Sequence, residues 1–279
     1  MAGDLGRAAC FWVAMVLLGA CATDESLIAQ PTTPVRAMVR DVPYVESEAG
    51  SVAGATATVL GWAGLRASPG DLSLIDGNQS ALSVIREARR HGCLAYPLDS
   101  WAEIIREVAA QHPVLICLRA DVGAAADDCR VLVGYDLEAG KVVAHSPLGA
   151  SREQPLRDIL AGWEMPGAWA LVVLPAGELP ATVEREEYIA AAAGLERDGP
   201  AWEAVLALDS ALALWHDSVE ALMGLGKSLF ALGDRKGAAE AFATASGLTD
   251  DPAIARWQWA VAKAAPPEKD GKLPAKSAK

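Results

Sequence analysis

The histidines and cysteines are the residues of this chain best suited to metal or nucleophilic chemistry. The four histidines are His91, His112, His145 and His216. None of them has the short spacing to a cysteine or to another histidine that is typical of metal ligands. His91 and His112 end predicted helices, where a cationic ring suits the helix dipole. The adjacent carboxylates Asp127 and Asp128 are more typical of a solvated loop than of a cation site. The sequence therefore predicts neither a metal centre nor a cofactor.

Two sequence motifs could form the two halves of one site. Residues 42–60 read VPYVESEAGSVAGATATVL, and residues 128–136 read DCRVLVGYD. Together they resemble the site of the papain-like, C39-like cysteine peptidases, in which a Cys opens a helix and a distant His opens a strand. This resemblance puts Ser51 at the position of the Cys and Asp128 at that of the His. Ser146 takes the place of the third catalytic residue, and no Gln lies between Val42 and Ser51 to stabilise an oxyanion.

These substitutions remove the groups on which the chemistry of the resembled family depends. A Cys at a helix N-terminus ionises because unpaired N–H groups and the helix dipole stabilise the thiolate. The hydroxyl of Ser51 needs an adjacent base, and a carboxylate such as that of Asp128 is a weak one. His145 is the only histidine near the predicted site, but Ser146 holds the family position, so strand alternation is expected to turn His145 away. The resemblance therefore implies a peptidase frame in which no catalytic residue is expected to be active, with His145 as the fallback base.

Around these motifs, hydrophobic periodicity and turn residues predict helices first and an antiparallel sheet afterwards. Helices are predicted over 51–65, 78–91, the segment that the capping box at 100–103 opens, and 155–162; strands are predicted over 114–118, 131–135, 141–145 and 168–174. Leu82 and Ile85 are expected on the buried face of the second helix. This order indicates an α+β fold, as the papain-like resemblance also implies.

From residue 182 onwards the pattern is wholly helical and repeats with a period of 34. Leu195, Gly199, Ala204, Leu208 and Ala211 recur as Leu229, Gly233, Ala238, Phe242 and Ala245. Leu225 and Gly226 of the second unit also match, and the spacing resembles the tetratricopeptide repeat. Ala204 and Ala238 are expected where paired helices cross, and Gly199 and Gly233 are expected to form the turns. Because two repeats alone bury little surface, we expect them to pack onto the first domain.

The first residues carry the features of an exported lipoprotein. Residues 8–18 are apolar but too few to span a bilayer as a helix. They end in the letters LGAC at 18–21, which resembles the bacterial lipobox, in which the Cys is lipidated. Several acyl chains on Cys21 would anchor the protein stably to a membrane. Ala22 after the Cys resembles the sorting pattern for the outer membrane, so the protein is expected on its periplasmic face.

The chain is thus predicted to comprise a lipoprotein signal peptide at 1–20, a tether at 21–40, a C39-like peptidase-type domain at 41–177, a tetratricopeptide-repeat-like helical domain at 182–264 and a disordered tail at 265–279. With Cys21 lipidated, three cysteines remain. Either Cys93 or Cys117 could pair with Cys129 in an oxidising compartment, and the sequence leaves that choice open. Cys129 is expected to point away from the site, because it neighbours the position of the family His.

Charge and domain order limit the function. A formal net charge of −12 argues against binding nucleic acid, whose phosphates would be repelled. The first interpretation is a membrane-anchored binding or scaffold protein that holds a protein or peptide partner through its cleft and repeats. The second is an active hydrolase that uses Ser51 with a displaced base, His145. The third is a repeat adaptor in which the first domain is only a spacer.

Overall fold

Nine α-helices and seven strands make up the described part of the chain, which in this computed structural model comprises residues 33–47, 51–72, 80–119 and 128–264. The helices are α1 (Ser51–Trp62), α2 (Ala81–Arg90), α3 (Trp101–Ala109), α4 (Leu156–Trp163), α5 (Arg185–Asp198), α6 (Ala201–Leu214), α7 (Val219–Ala231), α8 (Arg235–Ser246) and α9 (Pro252–Lys263). The strands are β1 (Arg36–Met38), β2 (Cys93–Leu98), β3 (Val114–Leu118), β4 (Asp128–Asp136), β5 (Lys141–Ser146), β6 (Gly149–Pro155) and β7 (Trp169–Pro175).

The strands form one antiparallel sheet in the order β2-β7-β3-β4-β5-β6, and β1 pairs with the second half of β4. Helices cover both faces of this sheet. On one face, α1 and α2 pack over alternate strand residues such as Leu115 and Val131. On the other, α3 packs over their neighbours, such as Ile116 and Leu132. Helices and an antiparallel sheet in one chain confirm the α+β prediction.

The observed helices and strands differ from the predicted ones in three respects: where α1 ends, which strands are present, and which residues of α2 are buried. Helix α1 ends at Trp62, and Gly64 follows with a φ of +87°, a conformation that suits glycine and terminates helices. Strands β1, β2 and β6 were not predicted: β1 lies within the predicted tether, β2 contains Pro97, and β6 is polar and exposed. The prediction for Leu82 is wrong: its side chain is 63% exposed. The prediction for Ile85 is confirmed, and helix α2 buries it together with Val84 and Ala88.

The helical part is a series in which each helix packs on the next one along the chain. Helix α5 begins at Arg185 and α7 at Val219, 34 residues later, and α6 and α8 begin at Ala201 and Arg235, the same interval. The first of these helices share the core of the sheet, since Tyr188 of α5 lies in the same buried cluster as residues of β2. The helical part therefore packs directly against the sheet.

A network of polar contacts fixes the connection between sheet and helices. The carboxylate of Glu107, fully buried at the end of α3, accepts hydrogen bonds from the N–H and the Oγ1 of Thr182 at 2.8 and 2.7 Å. The Nδ1 of His112 lies 2.6 Å from its other oxygen. Tyr96 of β2 donates to the carbonyl of Thr182 and accepts from the N–H of Glu184. We call these hydrogen bonds around Glu107 and Thr182 the joint between the sheet and the helical part. Sequence reasoning missed this joint, because its partners are far apart in the chain.

No helix in the described ranges combines the length and the apolarity that a bilayer-spanning segment requires.

Candidate functional site

The candidate site lies at the N-terminus of α1, which begins at Ser51. Helix α1 consists mainly of small residues, and every residue from Val52 to Leu60 is buried. One side of the helix packs against β3 and β4. Its N-terminal N–H groups have no partners within the helix, as at any helix start. Ser51 is therefore held at the edge of a buried helix, facing the first residues of β4.

The extended segment at 42–47 packs against a stripe of small residues on α1. Gly54, Thr58 and Gly61 form this stripe, and the Val45 N–H donates to Thr58 Oγ1 at 3.3 Å. A Cβ added at Gly61 would lie 2.9 Å from the Pro43 ring. The segment can therefore approach the helix only because these residues are small. It forms one wall of the site.

Between this segment, α1 and the strands lies a cavity of about 90 Å³. Its polar wall includes Tyr44, Glu46, Ser47, Ser51, His145 and Ser146, and Pro147 and Val131 contribute apolar surface. The cavity is far smaller than pockets of about 300–1,000 Å³, the usual size for a drug-sized ligand. It can accept a small side chain of a larger ligand but not a nucleotide-sized cofactor.

The hydroxyl of Ser51 faces the backbone of β4. The N–H of Cys129 donates to Ser51 Oγ at 3.2 Å. An N–H group directed at this oxygen would stabilise negative charge on it, but it cannot remove the hydroxyl proton. Deprotonation would require a base with a free lone pair within about 3 Å.

His145 lines the same cavity, contrary to the expectation that it would face away. Its Nδ1 accepts a hydrogen bond from the Ser151 N–H at 2.9 Å, which fixes the proton of the neutral ring on Nε2. Nε2 lies 3.1 Å from the carbonyl of Val42 and donates to it. The Tyr44 ring packs edge-on against the imidazole, with centroids 5.8 Å apart. Both ring nitrogens are thus bound to backbone groups, and neither has a free lone pair directed at Ser51.

At the start of β4, the residue that faces the cavity is Cys129 and not Asp128. The carboxylate of Asp128 forms an ion pair with Arg130, outside the cavity. Cys129 faces the cavity, contrary to expectation, and is joined in a disulfide to Cys117, directly opposite on β3. Of the two pairings that the sequence left open, the structure has that of Cys117 with Cys129. At the start of β4, half of a disulfide therefore lines the cavity.

The other residues singled out by the sequence are placed as follows. Ser146 lines the cavity, and its Oγ accepts from the Leu148 N–H at 3.2 Å. Cys93 is a buried free thiol away from the cavity. Burial, with the carboxylates of Glu203 and Glu178, raises the pKa of Cys93 to about 12, so this thiol stays protonated.

Cys21, the predicted lipidation site, lies outside the described residues. Within the ranges that the structure describes, no group of three or more His, Cys, Asp or Glu could hold a metal ion.

Four of the six predicted repeat positions lie in the interior of the helical part. Ala238, Phe242 and Ala245 are fully buried in a cluster between α7, α8 and α9. Gly226 on α7 faces the Phe242 ring, where an added Cβ would lie 2.6 Å from the nearest ring carbon. The remaining two are Leu225, which is partly buried against the main core, and Gly233, which turns the chain between α7 and α8 with a φ of +83°.

Comparisons of the chain with models of protein families, with curated proteins and with solved structures gave no match.

Proposed function

We propose that this chain is a membrane-anchored lipoprotein whose first domain is a catalytically degenerate relative of the C39-like, papain-like peptidases. In this proposal the domain binds a peptide or a protein segment instead of cleaving it, and tetratricopeptide-repeat-like helices hold a partner. The anchor is the lipidated Cys21, and the location is the periplasmic face of the outer membrane.

The observation that carries the proposal is the state of His145. It is the only imidazole lining the cavity, and both of its nitrogens are hydrogen-bonded to backbone groups. In this arrangement the imidazole of His145 therefore has no free lone pair with which to act as a base towards a serine nucleophile. What remains is a small cavity with hydroxyl groups and an aromatic wall, a set of groups suited to holding a side chain.

Two further features support the location and the repeats. A disulfide between Cys117 and Cys129 is typical of proteins that fold in an oxidising compartment, such as the bacterial periplasm. The 34-residue interval between the starts of alternate helices supports the repeat interpretation.

Peptide binding tests the proposal. The full chain, purified in detergent, should bind members of a panel of blocked hexapeptides in calorimetric titrations. Ser47→Trp, which fills the cavity wall, should abolish binding, whereas Ser246→Trp, at an exposed position on α8, should not. If no peptide binds, or if Ser47→Trp binds as the wild type does, the proposal is wrong.

A second candidate function is hydrolysis with Ser51 as nucleophile and His145 as base, and one observation favours it: both residues line the same cavity. It requires His145 to exchange its bond to Ser151 or Val42 for one to Ser51. Covalent labelling of Ser51 by a fluorophosphonate probe, lost in Ser51→Ala and His145→Gln, would establish this alternative. Under the first proposal, neither labelling nor peptide cleavage occurs.

A further inference from the structure

A second cavity lies on the same face of the sheet as the Ser51 cavity. Directly paired residues on adjacent strands share a face, and Cys129 pairs with Cys117, which in turn pairs with Trp169 of β7. The next strand is β2, whose last residue Leu98 pairs with Ala170, so Asp99 follows beside Trp169. The disulfide therefore lies between the Ser51 cavity and Trp169, in one row across the strand ends.

This second cavity has a volume of about 440 Å³ and a distinct chemical character. Its lining includes Trp163 from the end of α4, Trp169, and the apolar side chains of Ile85 and Pro97. Among the described residues that line it, Asp99 alone is charged. Within the described part of the chain, the exposed carboxylate of Asp99 forms no ion pair, and its backbone N–H donates to the carboxylate of Glu103 at 2.8 Å.

Two indole rings and one carboxylate favour a cation. The face of a tryptophan attracts an ammonium or guanidinium group, and a carboxylate adds a direct charge interaction. The apolar lining suits the methylene stem of a lysine or arginine, which packs along apolar surface while its head group remains polar. An anionic side chain would be repelled by Asp99, and the net charge of −12 also favours a basic partner.

We propose that this cavity is a subsite for a lysine or arginine side chain of the peptide that occupies the Ser51 cavity. The inference rests on the proposed function and names the chemistry of the partner. Three strand spacings of about 4.8 Å separate Cys129 from Asp99, or roughly 14 Å. An extended peptide advances about 3.3 Å per residue, so the basic residue lies about four positions from the residue in the Ser51 cavity.

The test compares blocked hexapeptides that carry one lysine, at either end, with the same peptides carrying Nε-acetyl-lysine. The full chain is titrated in detergent at low salt. The lysine peptide should bind about tenfold more tightly than its acetylated form. Asp99→Asn should abolish that preference, and Trp163→Phe should reduce it. Asp158→Asn, which makes the same change in net charge at an exposed position on α4, should preserve it.

Equal binding of the lysine and acetyl-lysine peptides would overturn the inference, as would a preference that survives in Asp99→Asn. If those peptides still bind and Ser47→Trp abolishes their binding, the proposed function holds and only the basic subsite is wrong. If no peptide binds at all, the proposed function fails and this inference with it.

Discussion

His145 connects three segments of the backbone through one side chain. It lies on β5, donates to the carbonyl of Val42 ahead of α1, and accepts from Ser151 on β6. Ser151 has a φ of +48°, an uncommon value for a residue other than glycine, and its N–H is directed at the ring. The imidazole therefore helps to hold the wall of the Ser51 cavity and the irregular start of β6.

Replacing His145 by Ala should destabilise the fold and loosen that wall. Two hydrogen bonds to part-buried backbone groups are lost, which should cost about 1–3 kcal/mol. Hydrogen exchange should show loss of protection first at Val45 and Ser151. His216→Ala, at an exposed position, is the control and should change neither stability nor exchange. Unchanged protection at both amides would mean that the imidazole has no such structural role.

The orientation of single residues is where sequence reasoning failed. The resemblance, aligned on Val133-Gly134-Tyr135-Asp136, placed Asp128 at the site, and alternation along the strand then turned Cys129 away from it. The pairing of β4 with β5, however, shifts its register between Leu132 and Gly134. Such an irregularity reverses which residues face the helix. A second shift, between Ala144 and Ser146, makes the alternation argument fail for His145 as well. An isolated glycine within a strand, such as Gly134, is typical of a bulge, but it does not show which residues face the helix.

At the scale of elements, the disulfide closes a short connection between β3 and β4. Cys117 and Cys129 are 12 residues apart and form a directly opposed pair. Replacing both by Ala should lower the free energy of unfolding by about 3 kcal/mol, the usual effect of releasing a loop of this length. Chemical denaturation with and without reductant measures this loss. Reductant should destabilise the wild type and leave the double variant unchanged.

Cys93→Ala provides the control for that experiment. Cys93 is a buried free thiol, so its replacement should leave the effect of reductant intact. If reductant has no effect on the wild type, the cysteines are not paired in the protein and the argument for an oxidising compartment is lost.

Helices α7 and α8 can approach closely because Gly226 faces the buried Phe242 ring. Gly226→Ala should cost about 1–3 kcal/mol, since the added Cβ would overlap a ring that cannot move outward. Gly224→Ala on the same helix is a matched control: its Cβ would meet the ends of Leu208 at 3.1 Å. Both variants gain about the same helix propensity, roughly 1 kcal/mol. Thermal or urea unfolding should therefore show the first to be less stable than the second, and the reverse order would contradict this packing.

The helical elements were predicted more fully than the sheet. A period of 34 indicated α5 to α8 because helix starts, turns and buried alanines all recur in the local sequence. In contrast, β6 is exposed and polar, and β2 contains a proline, so neither has the alternating pattern of a half-buried strand. Both depend on neighbours supplied by distant parts of the chain. For the same reason, the row from Cys129 to Asp99 could be recognised only once the strand order was known.

At the scale of the whole molecule, sheet and helical part share one buried core and one polar joint. Arg89 of α2 lies across Gly194 of α5 and pairs with Asp198 at 3.1 Å. Tyr96 and Glu107 hold the connecting segment at Thr182. Because these contacts link distant parts of the chain, we expect both parts to unfold together, and a ligand bound in one part should stabilise the other.

Glu107 gives this joint a defined dependence on pH. Burial acts to raise its pKa, but the hydrogen bonds from His112, Thr182 and Ala181 outweigh it, and the pKa is lowered from its usual value of 4.5. A carboxyl group with a lowered folded-state pKa stabilises the fold above its unfolded pKa, and that contribution is lost as the pH falls through the folded value. The stabilisation is therefore present at neutral pH and declines below about pH 4.5.

Glu107→Gln should accordingly destabilise the whole molecule at neutral pH and much less in acid. The amide keeps the shape but loses the charge that His112 and Thr182 recognise, which should cost about 2–4 kcal/mol near pH 7. Urea unfolding, followed separately by a probe in the sheet and a probe in α8, measures the loss at about pH 5.5 and at about pH 3. The difference between variant and wild type should shrink at the lower pH, and both probes should report the same midpoint.

Glu138→Gln, at an exposed turn position, controls for the change in net charge. A difference that stays constant with pH, or a sheet that remains folded after the helices have melted, would show that Glu107 does not join the two parts.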